Sequence, residues 1–364
     1  MSMGPANLPV EGPEPAMPAQ PPWRVALVVI ARDEGPRIAR LLNSVAPWVD
    51  EMLVLDTGSV DDTAAVAGHA GARVASFAWC DDFAAARNAA LAHAAADWHV
   101  VLDADEWLLE GGAALAALRQ TEPSFVGAVR VDDQGAAAGV VHDWISRVLP
   151  GPVRYRGRVH EQPQHGMSVC QLPVVVGHDG YTPERLAAKR GRNRALLQAE
   201  LQAAPDDAYL WYQLGKDHAV YGEHEAAISA LAKAETLREP GSPWRHDLTT
   251  RCLFALKVLG LHAQALDHAE QRMADSAGSP DFFFALGDVM LDWAAERPDR
   301  ATHLLPLAEA AWQRCLLLGE CPELPGGVQG RGSFLAAHNL AVLYDGLGQP
   351  ARAAALRLQH PAPT

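Results

Sequence analysis

Cysteine is scarce in this chain, and its spacing excludes two classes of protein. The 364 residues contain five cysteines, an odd number, and no two of them form a CxxC pair. A disulfide-dependent secreted domain carries denser cysteines, and a structural zinc site needs paired ligands. We therefore expect reduced thiols in a cytoplasmic protein. The cysteines are Cys80, Cys170, Cys252, Cys315 and Cys321.

Long apolar runs and basic stripes are also missing. No apolar stretch reaches the ~18 residues of a membrane-spanning helix, so we expect no transmembrane segment. The formal net charge is −14, and the lack of a Lys- or Arg-rich stripe argues against a nucleic-acid partner. Residues 1–22 are rich in proline and lack the basic and apolar regions of a signal peptide, so we expect a disordered leader.

What is present is enough apolar sequence for two domains, because 49% of the residues are hydrophobic. From residue 23 to about residue 105, β-branched runs alternate with segments of helical periodicity. Such alternation predicts an α/β domain with a mostly parallel sheet and helices on both faces. Shorter strand-like pieces over residues 111–181 predict a smaller mixed β region. We assign this domain to residues 23–185.

The second half of the chain is rich in Ala and Leu and helical in pattern. Residues 211–240 match the helical hairpin repeat of about 34 residues known as TPR, and weaker copies start near residues 253, 282 and 336. Such hairpins stack into a curved solenoid. We therefore predict an all-α, TPR-like domain over residues 186–364. The matching positions are Trp211, Leu214, Gly215, Ala227, Leu231 and Ala234.

Three carboxylates follow one of the apolar runs directly. Residues 99–110 read HVVLDADEWLLE, so Asp103, Asp105 and Glu106 stand within four positions. Carboxylates this close repel one another, and a positive partner relieves that repulsion. Oxygen ligands of this kind suit Mg²⁺ or Mn²⁺, which also bind diphosphate oxygens. A solvated acidic loop is the alternative interpretation.

The position of this cluster favours a binding site. In a parallel sheet, ligands bind beyond the carboxyl ends of the strands. Two other predicted strands end in polar residues, at Arg32–Glu34 and at Asp56. We expect these groups and the Asp103/Asp105 pair to line one crevice.

Six stretches over residues 24–181 together resemble the family 2 glycosyltransferases of the GT-A fold. Some members of this family carry C-terminal helical repeats and glycosylate cysteine in bacteriocin peptides, as in sublancin biosynthesis. Others with similar motifs act on lipopolysaccharide core. This sequence departs from the common pattern at Asp33 and Cys80, neither of which is part of the carboxylate cluster. In chain order the stretches are VVIARDEGPRIARLLNSV, EMLVLDTGSVDDTAAVA, WCDDFAAARNAAL, DWHVVLDADEWL, YRGRVHEQP and GHDGY.

The resemblance implies a nucleotide-sugar site. Glu34 would contact the ribose and Asp56 the base, although Asp56 could instead stabilise a turn. Arg87 would reach the base or the diphosphate, unless it is an ordinary helix-surface arginine. The implied donor-binding residues are Ala31, Glu34, Asp56, Arg87, Asp103, Ala104 and Asp105.

The same resemblance implies a divalent metal and an acceptor side. Asp105 would bind Mg²⁺ or Mn²⁺ directly, with Asp103 nearby and His178 as a third ligand or as a structural histidine. An inverting transfer needs a general base, and we assign that role to Glu161, which could otherwise pair with Arg156 or Arg158. We expect His160 and Trp107 on the acceptor side.

The sequence as a whole therefore predicts a metal-dependent inverting glycosyltransferase. It would move a sugar from a nucleotide-sugar, a UDP-sugar in our interpretation, to a peptide or protein side chain. The helical domain could present the acceptor or hold a homodimer together. Three alternatives stay open: a lipopolysaccharide or other cell-surface saccharide acceptor, a TPR-type scaffold with an inactive transferase domain, and a nucleotidyltransferase.

Overall fold

The computed structural model describes residues 22–133, 140–179 and 191–362. The predicted leader lies almost entirely outside these ranges. The predicted domain boundary at residues 185 and 186 lies outside them as well. All five cysteines are described, and none of them forms a disulfide.

The first part of the domain is the expected alternation of strands and helices. Strands β1 to β4 are mutually parallel and lie in the order β3-β2-β1-β4. Pro36 stands in the first turn of α1, where its missing N–H has no helical partner to lose. The strands are β1 (Val25–Ala31), β2 (Glu51–Asp56), β3 (Arg73–Ser76) and β4 (Trp98–Asp103), and the helices are α1 (Gly35–Val45), α2 (Thr63–His69) and α3 (Phe83–Ala94).

The second part converts the parallel sheet into a mixed one. The sheet continues from β4 in the order β7-β6-β10-β5, with β4 and β7 antiparallel and β6 and β10 parallel. The mixed β region predicted after residue 111 is thus part of the same sheet. The elements are β5 (Glu106–Glu110), α4 (Gly112–Ala117), β6 (Val126–Asp133), β7 (Val141–Pro150), β10 (Val169–His178) and a separate hairpin of β8 (Arg154–Arg156) and β9 (Gln162–Gln164).

Alternate residues of the central strand enter two apolar layers. Leu27 and Val29 pack in one buried cluster with Leu41 of α1, whereas Val28 joins a second cluster with Leu91 of α3. Successive side chains of a strand point to opposite faces, so one β-branched run supplies both layers. This confirms the predicted helices on both faces of the sheet.

The second half is a series of packed helices, as predicted. Consecutive helices contact one another, and Gly215 lets α6 approach α7: a Cβ there would lie 2.6 Å from Leu231. Gly287 of α10 meets Trp312 of α11 in the same way, at 2.5 Å. The helices are α5 (Arg192–Ala203), α6 (Ala208–Val220), α7 (His224–Leu237), α8 (Arg245–Val258), α9 (His262–Ser276), α10 (Pro280–Glu296), α11 (Ala301–Leu318), α12 (Phe334–Gly346) and α13 (Pro350–Gln359).

The helical half also contributes to the sheet. A short strand, β11 (Gly327–Val328), between α11 and α12 pairs antiparallel with the start of β7. The Gly326 N–H donates to Asp143 Oδ1 at 2.8 Å, and Trp144 Nε1 donates to the Pro322 carbonyl at 2.6 Å. In the ranges that the structure covers, no helix is both long and apolar enough to cross a bilayer.

Candidate active site

The strand ends predicted to meet do lie side by side. Ala31 of β1 is in register with Asp56 of β2, and Ile30 is in register with Asp103 of β4. The Ala31 carbonyl accepts hydrogen bonds from the Thr57 N–H at 2.9 Å and from the Thr57 hydroxyl at 3.1 Å. The Ala31 carbonyl is therefore fixed from within the protein.

Asp56 stabilises a turn at this edge, which is the alternative that the sequence left open. Its Oδ1 accepts from the Ser59 N–H at 3.0 Å and from the Ser59 hydroxyl at 2.5 Å. Asp33 ties the loop after β1 to the same turn, because its Oδ1 accepts from the Val60 N–H at 2.8 Å. The φ of Asp33 is +56°, a left-handed conformation that Asn and Asp tolerate best.

Glu34 begins the neighbouring helix and is partly buried. Its N–H donates to the Thr63 hydroxyl at 2.7 Å, and its carboxylate lies 3.6 Å from Arg37. These contacts hold the loop after β1 against the start of α2. Hydrogen bonds within the protein thus join the loops that follow β1 and β2.

Two buried arginines supply much of the positive charge that the carboxylate cluster requires. Arg87 donates to Asp103 Oδ1 at 2.6 Å, and Arg147 donates to Asp103 Oδ2 at 2.6 Å. Arg147 also donates to Glu106 Oε1 at 2.5 Å, and Glu106 Oε2 accepts from the Asp103 N–H at 2.8 Å. Burial alone would raise the pKa of Asp103, but the charges of Arg147 and Arg87 hold it well below its usual range.

Arg147 is the residue that the sequence analysis missed. It lies in β7 within the apolar stretch WISRVLP, and its side chain is only 7% exposed. A buried arginine needs carboxylate partners, so an arginine inside an apolar strand is itself a signal. The partners are 44 and 41 positions away in sequence, and local pattern does not reveal them.

Three buried polar atoms around the two arginines have no hydrogen-bond partner among the described residues. They are Arg87 Nη1, Arg147 Nε and the Tyr155 hydroxyl. Buried polar atoms without a partner are rare in folded proteins, and a ligand is one explanation for them. Burial raises the pKa of Tyr155 to about 12, so its hydroxyl is protonated and can donate.

A second group of acidic side chains surrounds His178. Ala104 and Asp105 form the buried turn between β4 and β5. His178 Nε2 lies 3.6 Å from Asp105 Oδ2, and its Nδ1 lies 3.7 Å from Asp133 Oδ2. Burial would lower the pKa of His178, but hydrogen bonds to Asp105 and Asp133 outweigh it and raise the pKa to about 10.

These residues fit a divalent cation in part. The described residues contain no ready-made cluster of three acidic, histidine or cysteine side chains for a metal. Asp105 and His178 do bring an oxygen and a nitrogen donor to 3.6 Å from each other. Both oxygens of Asp103 already accept from arginines. The expected trio of metal ligands is therefore reduced to a pair, which suits ions that complete their shell with phosphate oxygens and water.

Glu161 faces Asp103 across a single guanidinium. Arg87 Nε donates to Glu161 Oε1 while Nη2 of the same side chain holds Asp103. The expected alternative partners of Glu161, Arg156 and Arg158, are not the ones it pairs with. Arg87 is buried, which corrects the alternative that it is an ordinary surface arginine.

The two residues expected on the acceptor side differ in their surroundings. His160 is next to Glu161 in a left-handed conformation, with φ of +50°. Burial and the nearby charge of Lys216 lower the pKa of His160 to about 4, so it is neutral near pH 7. Trp107 instead lies under Arg40, 3.7 Å from the ring centroid, and packs on Gly177. These internal contacts place Trp107 against β10, and among the described residues it makes no hydrogen bond to the hairpin that carries Glu161.

Comparison with known proteins agrees with this geometry. Residues 26–170 match the family described as glycosyl transferase family 2. A TPR repeat-containing protein of Synechococcus elongatus is 33% identical over 71% of this chain and 66% of its own length. The glycosyltransferase SunS of Bacillus subtilis is 26% identical over 64% of this chain and 58% of its own length. The chain thus spans less than two thirds of each of these relatives.

One solved structure with similar sequence is glucosyl-3-phosphoglycerate synthase from Mycobacterium tuberculosis in complex with Mn²⁺, UDP and glucosyl-3-phosphoglycerate. It is 27% identical over 31% of this chain and 45% of its own, with a TM-score of 0.26. The sheet, the strand-end carboxylates, the packed helical pairs and the family match point to one assignment. Residues 26–170 form a domain that matches glycosyl transferase family 2, and TPR-like helical repeats follow it.

Proposed function

We propose that this protein is a metal-dependent inverting glycosyltransferase that moves a sugar from a UDP-sugar to a side chain of a peptide or protein. The observation that carries the proposal is the bridging position of Arg87. One guanidinium holds Asp103 at the strand end and Glu161 on the hairpin. The donor-side carboxylate and the acceptor-side carboxylate therefore contact the same arginine. This would bring the two substrates as close together as a single displacement requires.

The donor would lie along the edge formed by β1, β2 and β4. Asp56 and the turn that it stabilises face the base and ribose in this proposal, with Glu34 beside them. Arg87 and Arg147 offer buried cationic charge, and Arg87 Nη1 and Arg147 Nε are donors without a partner among the described residues. Planar guanidinium groups suit diphosphate oxygens, which supports a nucleoside diphosphate as the ligand.

Asp105 would hold the divalent ion, and His178 would join it as a ligand after losing its proton, because only a neutral imidazole has a lone pair for a metal. The carboxylates of this region are Asp103, Asp105, Glu106, Asp133 and Glu161, and two arginines and His178 balance them only in part. The remaining negative charge favours Mg²⁺ or Mn²⁺ at this position. When bound, such an ion would supply Lewis-acid stabilisation of the departing diphosphate.

Glu161 would accept the proton of the attacking group. Arg87 holds its Oε1, and its Oε2 accepts no hydrogen bond from the described residues, which leaves that atom for the acceptor. Neutral His160 beside it can donate or accept one hydrogen bond to orient the acceptor. The ion pair with Arg87 thus fixes the direction of the base.

The test of donor and metal is release of the nucleoside diphosphate from a panel of sugar nucleotides. Reactions contain Mn²⁺, Mg²⁺ or EDTA, with wild type, Asp105→Asn and the control Asp267→Asn, an exposed carboxylate of α9. We expect metal-dependent UDP release in wild type and in the control and none above background in Asp105→Asn. Absence of both release and metal-dependent UDP binding in wild type contradicts the proposal and favours an inactive scaffold.

The test of the acceptor compares a cysteine peptide with the matching serine peptide. A thiol is partly ionised near neutral pH and needs a base less than a hydroxyl does. We expect Glu161→Gln to lower transfer to serine by about 10²-fold or more and transfer to cysteine by less than about tenfold. The control is Glu122→Gln, an exposed carboxylate. Equal losses for both peptides contradict the base role, and transfer only to a saccharide contradicts the peptide acceptor.

A further inference from the structure

The hairpin that carries Glu161 is clamped between the two halves of the molecule. On the transferase side, Asn88 of α3 exchanges two hydrogen bonds with the Tyr155 backbone, at 2.9 and 2.8 Å. The Phe83 N–H donates to the Arg158 carbonyl at 2.8 Å. These contacts fix the base of the hairpin and one side of its tip.

The helical domain holds the other side of the tip. The Arg158 N–H donates to Glu200 Oε1 of α5 at 2.7 Å, and Gln162 Nε2 donates to the Tyr209 hydroxyl of α6 at 3.0 Å. Val159 is 3% exposed and packs in an apolar cluster formed mainly by α5 and α6. The other buried members of that cluster are Leu196, Leu197, Leu201, Leu210, Leu214 and Ala230.

The tip needs this support because its backbone adopts rare conformations. Gly157 has φ of +102°, and His160 has φ of +50°. A non-glycine residue in the left-handed region persists only where the surrounding structure determines it. The positive φ of His160 lies between the two anchors, at Arg158 and Gln162, and next to Glu161.

We infer that helices α5 and α6 of the helical domain position the catalytic hairpin, with Glu200 and Tyr209 as positioning residues for Glu161. The inference rests on the proposed function, because it takes Glu161 to be the acceptor-side base. It gives the first helices of the repeat domain a role in the transfer step itself. The hydrogen bonds of both residues go to neighbours of Glu161 in the hairpin, to the Arg158 backbone and to the Gln162 side chain.

The kinetic test uses Glu200→Ala, Glu200→Gln and the control Glu225→Ala, an exposed carboxylate of α7. Glutamine keeps an oxygen that can accept from the Arg158 N–H, whereas alanine does not. A displacement of about 1 Å at a reacting group can cost up to about 10²-fold in rate. We expect Glu200→Ala to lower kcat for peptide transfer about tenfold with an unchanged KM for the donor, and Glu200→Gln and Glu225→Ala to remain near wild type.

Hydrogen exchange tests the same inference without any activity. We expect the amides of residues 157–162 to exchange at least about tenfold faster in Glu200→Ala than in wild type, because the Arg158 N–H loses a charged acceptor. Tyr209→Phe provides a second variant should Glu200→Ala fail to fold. It removes the hydroxyl that accepts from Gln162, and we expect the same direction of change.

The outcomes separate this inference from the proposed function. Wild-type protein that transfers no sugar, together with faster exchange in Glu200→Ala, contradicts the proposed function and leaves the structural positioning intact. Unchanged exchange and unchanged kcat in both Glu200→Ala and Tyr209→Phe overturn the inference. A loss in Glu200→Gln as large as in Glu200→Ala also overturns it, because a retained acceptor oxygen would then make no difference.

Discussion

Two buried networks of the same chemical groups lie in the two halves of this protein, and they differ in how completely they are satisfied. In the helical half, Arg251 donates to Asp247 Oδ2 at 2.5 Å, and the Tyr212 hydroxyl donates to the same oxygen at 2.5 Å. None of these three side chains has a buried polar atom without a partner among the described residues. The buried polar atoms of this network are thus satisfied within the described part of the protein.

The network in the transferase half has the same kinds of side chain and is incomplete. Arg87, Arg147 and Tyr155 each keep one buried polar atom without a partner in the described ranges. Its ion pairs also join distant segments, whereas Arg251 and Asp247 are one helical turn apart. In the proposed function, the unpartnered atoms of the transferase network face the nucleotide-sugar, whereas the network of Arg251, Asp247 and Tyr212 joins α6 to α8.

Removal of Arg147 is expected to have the largest effect among the variants that test the difference between the two networks. Arg147→Met leaves the buried Glu106 and the partly exposed Asp103 with one cation fewer, and we expect a loss of about 3–5 kcal/mol in the free energy of unfolding, most of it from Glu106. Urea denaturation measures it. Arg119→Met removes a more exposed arginine that pairs with Asp50, and we expect at most about 1 kcal/mol. Equal losses in the two variants would mean that the burial of an arginine does not determine how much free energy of unfolding its removal takes away.

The tyrosines of the two networks test the same difference with a smaller expected change in the free energy of unfolding. Tyr212→Phe removes a hydrogen bond to a buried carboxylate, so we expect a loss of about 1.5–3 kcal/mol. Tyr155→Phe removes a buried hydroxyl without a partner among the described residues, so we expect no loss and a gain of up to about 1–3 kcal/mol. The same denaturation experiment, without nucleotide, compares them. A large loss in Tyr155→Phe would show that its hydroxyl is already satisfied in the unliganded protein.

Local pattern predicted most of the fold. The β-branched runs and helical segments up to Asp105 indicated the parallel strands, and the repeat spacing around Trp211 indicated packed helices. These features follow from periodicity, which needs no knowledge of distant residues. The proximity of Ala31, Asp56 and Asp103 was predicted for the same reason, because parallel topology brings strand ends together.

Long-range pairing explains what the sequence did not reveal. Arg147 and Asp103 are 44 positions apart, and Arg87 and Glu161 are 74 positions apart. Trp107 was expected on the acceptor side, and the structure shows its ring against Arg40 and the neighbouring strand β10, contacts that spacing does not reveal. The support of the hairpin tip by Glu200 likewise depends on how two domains meet, which composition and spacing do not encode.

The pairing of β11 with β7 makes the sheet of the first half depend on a strand from the second half. Truncation between the halves would therefore remove part of the sheet. β4 covers β7 only at residues 148–150, and β11 covers residues 141 and 142 at its other end. A fragment that ends before α5 would present bare backbone amides at the start of β7, a template for unwanted strand association. If the helical half is exchanged between related proteins, the incoming β11 has to match the β7 of the retained half. A recombination point chosen by sequence alone, at the start of the helices, would separate partners that the sheet joins.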